Sequence, residues 1–153
     1  MTTIPIYQAD AFTGKLFGGN PAAICPLTDW LPDELMQTIA VENNLTETAF
    51  FVKNETGYKL RWFTPEYEIE LCGHATLASA HILFTELGHQ DDTIHFETVK
   101  AGTLTVKRDG DKYAMDFPSR PPIHIDAPNG LIEALSEKQP VEVLRSRDYF
   151  LVY

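Results

Sequence analysis

The sequence predicts an α+β domain of short strands with one amphipathic and one buried helix, and two observations carry that expectation. Short apolar runs alternating with polar residues recur along the first 120 residues, punctuated by Gly, Pro, Asn and Asp, as in meanders of short strands. Between Ala75 and Leu87 the apolar residues Ala75, Leu77, Ala78, Ala80, Ile82, Leu83, Phe84 and Leu87 fall all round the helical wheel. A surface helix would show one apolar stripe, so this one is expected to be buried on every side.

The elements follow in order. Ile4 to Phe12 reads as an extended segment, and Phe17-Gly18-Gly19-Asn20-Pro21 as a tight loop where Gly supplies unusual backbone angles and Pro fixes the exit. Ala22 to Cys25 is a short strand. Pro32-Asp33-Glu34 opens a helix, because Pro suits the first turn and acids suit its positive end; Leu35, Met36, Ile39 and Ala40 form its apolar face. Thr48 to Val52 and Tyr58 to Phe63 read as a strand pair joined through Asn54-Glu55-Thr56-Gly57. After the buried helix, Thr93 to Thr98, Gly102 to Lys107 and Lys112 to Phe117 form a second meander, with Asp109-Gly110 as a two-residue hairpin turn.

Ser119-Arg120-Pro121-Pro122 breaks the pattern and reads as a linker. Beyond it, Gly130 to Ser136 suggests a helix, and Val141 to Leu144 and Tyr149 to Tyr153 suggest strands around Arg145-Ser146-Arg147-Asp148. A segment this short cannot build its own core, and an apolar strand without a partner is normally covered. The chain is therefore expected to be unfinished in this region, with residues 149–153 lacking a partner strand.

Composition narrows the function. A length of 153 residues suits one domain that buries roughly 70% of its unfolded surface. The formal net charge of −10 argues against nucleic acid and anionic membranes as partners, and an anionic substrate would need local donors. No apolar run approaches the roughly 20 residues of a membrane span, and Met1-Thr2-Thr3-Ile4-Pro5 lacks the basic flank and apolar core of a signal peptide. Two cysteines, Cys25 and Cys72, make no disulfide framework, so a cytoplasmic setting is expected.

The run Glu70-Leu71-Cys72-Gly73-His74-Ala75-Thr76 carries the most chemistry. A strand end meets a Gly and opens the buried helix, whose first N–H groups lack helical partners and suit a carboxylate. An ordinary core helix capped by local backbone would read the same way. Cys72 also reads two ways: a thiol of lowered pKa at a helix start, fit to be a base or nucleophile, or a small buried core residue. Glu47 begins the apolar run Thr48-Ala49-Phe50-Phe51, as a partly desolvated carboxylate suited to proton transfer or as a solvated strand end. Glu66, Glu68 and Glu70 alternate as the wet face of a strand. No metal site is expected: His74 and His81 lie two helical turns apart, too far for a compact tetrahedral site with Cys72. The Gly18-Gly19 loop lacks the spacing of a dinucleotide fingerprint, and there is no nucleophile elbow.

Four stretches taken together resemble the PhzF-like family, named for a phenazine-biosynthesis isomerase. They are Gln8-Ala9-Asp10-Ala11-Phe12-Thr13, Phe17-Gly18-Gly19-Asn20-Pro21-Ala22-Ala23, Asn44-Leu45-Thr46-Glu47-Thr48-Ala49-Phe50, and Leu60-Arg61-Trp62-Phe63-Thr64-Pro65 running into Leu71-Cys72-Gly73-His74-Ala75-Thr76. The resemblance implies a fold similar to diaminopimelate epimerase: two pseudo-symmetric domains, each wrapping a barrel-like sheet around a central helix, with the active site in the cleft between them. It implies a cofactor-free proton shift on a small carboxylated metabolite, with Glu47 as acid/base and Gly73, His74 and Asn20 beside the substrate. Related epimerases and racemases keep a catalytic Cys at the place of Cys72, which leaves that residue as a possible second base. Members of the family run to roughly twice this length. Residues 1–122 are thus expected to be a first epimerase-like domain, and 123–153 a linker and the incomplete start of a second. Such a chain would be inactive alone and would pair as a homodimer or with a complementary second-domain chain. A non-enzymatic half-protein is the remaining alternative.

Overall fold

The computed structural model describes residues 3–135, 138, 140–147 and 149–153. Met1, Thr2, Ser136 and Asp148 of the segments read above lie outside the described residues. Two compact units divide the chain, one through Phe117 and one from Pro118.

The first unit contains β1 (Tyr7–Ala11), β2 (Asn20–Leu27), α1 (Asp33–Asn43), β3 (Thr48–Lys53), β4 (Tyr58–Phe63), β5 (Glu68–Ile69), α2 (Gly73–Thr85), β6 (Thr93–Thr98), β7 (Thr103–Asp109) and β8 (Lys112–Asp116). The main sheet runs β1-β2-β3-β4-β6-β7-β8, with β5 paired to β4. β2 and β3 are parallel, as are β4 and β6; the other pairs are antiparallel. Each parallel pair needs a long crossover, and α1 and α2 lie in those connections.

The sheet curls around α2. Ile24 of β2, Ala49 and Phe51 of β3, Leu60 and Trp62 of β4, Ile94 and Phe96 of β6, and Leu104 and Val106 of β7 share one core with Ala75, Ala78, Ile82 and Leu83 of the helix. That is the expected α+β half-barrel around a central helix. The period-two alternation of a strand sends Ala49 and Phe51 to this core, while Phe50 turns to the opposite face. There Phe50 packs with Cys25, Phe63, Met36 and Ala40 under α1. β3 is therefore buried on both faces, and that is why Thr48-Ala49-Phe50-Phe51-Val52 is apolar without a break.

Several expectations shift. α2 is not buried on every side: His81 and Thr85 are exposed and Leu87 is 41% exposed, while small residues let the sheet close around the rest. Leu35 is 44% exposed, so α1 buries only Met36 and Ala40 fully. Pro32 occupies the N-cap of α1 instead of its first turn. The β7–β8 hairpin turns one residue later than expected, at Gly110-Asp111, where Gly110 takes φ 62°.

The second unit holds β9 (Ile123–His124), α3 (Leu131–Leu135), β10 (Val143–Arg145) and β11 (Phe150–Val152). The strands form an antiparallel sheet of order β11-β10-β9. The strand near Tyr153 is thus not unpartnered: Val143, Leu144 and Arg145 face Val152, Leu151 and Phe150, and Tyr153 N–H donates to the Glu142 carbonyl at 3.1 Å. The partner is the strand read over Val141 to Leu144, shifted to Val143–Arg145, which pairs back onto β11.

Candidate active site

Two backbone devices bring the site together. At the end of α1, Asn44 takes the left-handed conformation (φ 51°) and its N–H closes the helix on the Ala40 carbonyl. Asn is among the few residues other than Gly that tolerate this angle, and its use here stops the helix sharply. Leu45, Thr46 and Glu47 then lead straight into β3, and Ala23 N–H binds the Glu47 carbonyl at 3.1 Å. At the start of β2, Gly19 sits at φ 77°, where any Cβ would collide with the Ala11 carbonyl oxygen. That constraint fixes the entry of Asn20, which pairs with Ala11.

Because β2 and β3 are parallel, Asn20 and Glu47 start at the same edge of the sheet. The N-terminus of α2 meets them there. Thr46 Oγ1 lies 3.4 Å from Asn20 Oδ1, from the Pro21 carbonyl oxygen and from His74 Nε2. Glu47 Oε2 lies 3.0 Å from His74 Nε2. That oxygen is buried and has no hydrogen-bond partner among the described residues. Buried acceptors are nearly always satisfied, so an unsatisfied carboxylate oxygen calls for an explanation. On the other side of the ring, His74 Nδ1 is 3.4 Å from Cys72 Sγ.

Thr76 N–H and Oγ1 both bind the Cys72 carbonyl, at 3.4 and 2.6 Å. The backbone N–H groups of His74 and Ala75 turn to the Cys72 sulfur, and no acidic side chain stands in the first turn of α2. Gly73 is only partly buried, and a Cβ there would make ordinary contact with Phe117.

Of the two readings of Cys72, the buried core thiol is the one the structure supports. Burial pushes its pKa up to about 12, with the Glu47 charge adding to the rise, while the N–H groups of His74 and Ala75 counter only part of it. The helix terminus was expected to lower the pKa; at 6% exposure, desolvation outweighs it. Cys72 is a neutral thiol at pH 7.

The candidates Asn20, Glu47, Cys72, Gly73 and His74 therefore meet at one end of α2, and Thr46 joins them. Thr46 was not singled out from sequence, although it directly precedes Glu47 in the Asn44-Leu45-Thr46-Glu47 run. His81 is elsewhere, with Nδ1 3.1 Å from the Tyr113 hydroxyl. Glu47, Cys72 and His74 offer carboxylate, thiol and imidazole donors within 4.8 Å of one another, the types a zinc ion accepts. The sulfur and the carboxylate approach opposite nitrogens of one ring, however. A single ion would require the ring or the carboxylate to move. As placed, the three groups form a chain, not a chelate.

Comparison with known proteins agrees with this fold. A family model described as phenazine biosynthesis-like protein (PhzC-PhzF) matches residues 9–143. An uncharacterized isomerase of Pseudomonas aeruginosa is 50% identical over 149 residues, covering 97% of this chain and 57% of that protein. The human phenazine biosynthesis-like domain-containing protein is 44% identical over 126 residues, or 77% of this chain and 43% of that one. The crystal structure of a PhzF-family protein from Enterococcus faecalis superposes with a TM-score of 0.88 at 44% identity, over 99% of this chain and 57% of that chain. A protein described as a predicted epimerase from P. aeruginosa shares the fold at a TM-score of 0.61 and 24% identity. The chain spans about 57% of the first curated relative's length. With a match from residue 9 to residue 143, it belongs to the phenazine biosynthesis-like (PhzF) family.

Proposed function

We propose that the protein, when completed to the length of its relatives, is a cofactor-independent isomerase that shifts a proton on a small carboxylated metabolite. Glu47 is its acid/base. The observation that carries this reading is the buried, unsatisfied Glu47 Oε2 set 3.0 Å from His74 Nε2 at the N-terminus of α2. A carboxylate oxygen with a free lone pair, held out of water, is poised to take a proton from a bound carbon acid. The Gly73 N–H and the positive end of α2 supply local attraction for the substrate carboxylate, which the net charge of −10 would otherwise repel. Asn20 and His74 orient the substrate beside Glu47. Two free, buried cysteines support a cytoplasmic setting.

Cys72 as one of two bases, as in an epimerase or racemase, is the weaker reading, since its thiol pKa is pushed up to about 12. The test is Glu47→Gln in the completed protein. The expected loss is about 10²–10⁴-fold in turnover and in exchange of substrate hydrogen with deuterated solvent, with substrate binding retained. Unchanged exchange would remove Glu47 from the mechanism. Absence of any exchange in the completed wild-type protein across small carboxylic acids would favour a non-enzymatic subunit.

A further inference from the structure

His74 can carry its proton on either ring nitrogen, and its neighbours decide which. Thr46 has one hydroxyl proton, and two acceptors, Asn20 Oδ1 and the Pro21 carbonyl oxygen, lie 3.4 Å from it. Toward His74 Nε2 the hydroxyl therefore offers a lone pair. The other neighbour of Nε2, the Glu47 carboxylate, accepts only. Both partners of Nε2 want a proton from it. Nδ1 is then bare, and its neighbour is the Cys72 sulfur at 3.4 Å.

We propose that Cys72 is a positioning residue that donates its S–H to Nδ1 of His74 and so holds the imidazole in the Nε2–H tautomer facing Thr46 and Glu47. The polarity runs one way from end to end: Cys72 S–H to Nδ1, Nε2–H toward Thr46 and Glu47, Thr46 O–H to Asn20 or Pro21. The high pKa of the buried thiol fits a donor and not an acceptor. A neutral thiol is a weak donor, so its effect is to bias a tautomer and fix a ring, not to add much binding energy. Under the reading of Glu47 as acid/base, on which its catalytic meaning rests, this keeps an N–H and not a lone pair beside the carboxylate. The ring then cannot take the proton that Glu47 must handle.

The test is read at the ring and needs no substrate. Long-range ¹H–¹⁵N correlation of the His74 imidazole separates a protonated from a bare nitrogen. At neutral pH, the wild-type chain and Cys72→Ser are expected to show one species, protonated at Nε2. Cys72→Ala is expected to lose that single species and show a mixture of tautomers. A merely structural cysteine would leave the tautomer unchanged on conversion to Ala. That result would overturn the proposal, as would protonation at Nδ1, or at both nitrogens, in the wild-type chain. Dispersed methyl resonances from the α2 core check that each variant is folded, and Cys72→Ser keeps the test open if Cys72→Ala is not. Failure here leaves Glu47 free to act as acid/base. Failure of the Glu47→Gln test instead would leave the tautomer assignment standing.

Discussion

Cys25 and Cys72 both carry thiols that burial pushes up to about 12 from an ordinary value of 9.0. The protonated thiol suits the folded state, so its stabilising effect is complete below pH 9 and is lost as pH rises through about 12. Thermal unfolding midpoints are expected to fall over that window, and Cys25→Ala is expected to make the fall shallower. An unchanged slope would mean that Cys25 ionises as freely in the fold as in the unfolded chain. The same burial leaves about a thousandfold fewer thiolates at neutral pH than in the denatured protein. Alkylation followed by mass spectrometry is thus expected to be slow at both cysteines until denaturant is added. Rapid labelling of Cys72 in the folded chain would restore its candidacy as a base. The local string Cys72-Gly73-His74 showed a helix start with reactive residue types, and Glu47 stood out at the head of an apolar run. The depth at which the sheet buries Cys72 is set by strands far off in sequence, and so is the meeting of Thr46 with His74, 28 positions away. Neither could be read locally.

At the scale of elements, the junction from α1 to β3 controls where Glu47 begins. Asn44→Ala places a Cβ residue without a polar side chain at φ 51°, a conformation that costs about 1–2 kcal/mol. Asn44→Gly should relieve that angle and fall within about 0.5 kcal/mol of wild type in urea unfolding. Equal effects of the two substitutions would show that the cap does not set the junction. Strand existence was legible because the core-facing residues keep period two: Leu60 and Trp62 of β4, Ile94 and Phe96 of β6, Leu104 and Val106 of β7. Trp62 is 1% exposed within that core, so Trp62→Ala should destabilise by about 3–5 kcal/mol. A loss below about 1 kcal/mol would mean that the half-barrel collapses to fill the space. Edges were less legible. Asn20-Pro21 reads as a loop by composition, yet β2 begins there because Ala11 pairs with Asn20. Ile4 to Phe12 reads as an extended segment, and only Tyr7–Ala11 of it pairs as a strand.

At the scale of the whole chain, the two units differ in what they bury. The first holds both apolar clusters; in the second, Val143 is the one buried apolar residue among the described residues. The half-barrel was readable because its strands and helix repeat their patterns over many residues; β10 and β11 were also legible as strands, but β9, two residues long, and the pairing of the three were not. The small sheet leaves the outer edge of β11 without a neighbouring strand among the described residues, and Tyr149, Phe150 and Tyr153 beside it are 65%, 46% and 63% exposed. An open edge flanked by aromatic surface is a template for pairing with another chain. We therefore expect the 153-residue chain to self-associate through β11, or to pair there with a polypeptide that supplies the second domain. Sedimentation velocity over a wide concentration range should show a monomer–dimer equilibrium. Phe150→Lys, which sets a charge on that edge, should shift it to monomer without changing the far-ultraviolet spectrum. A second-domain polypeptide added in trans should compete with the homodimer. A chain that sediments as a monomer at every concentration and ignores that polypeptide would show that the β11 edge is tolerated bare, and the association proposal would fall.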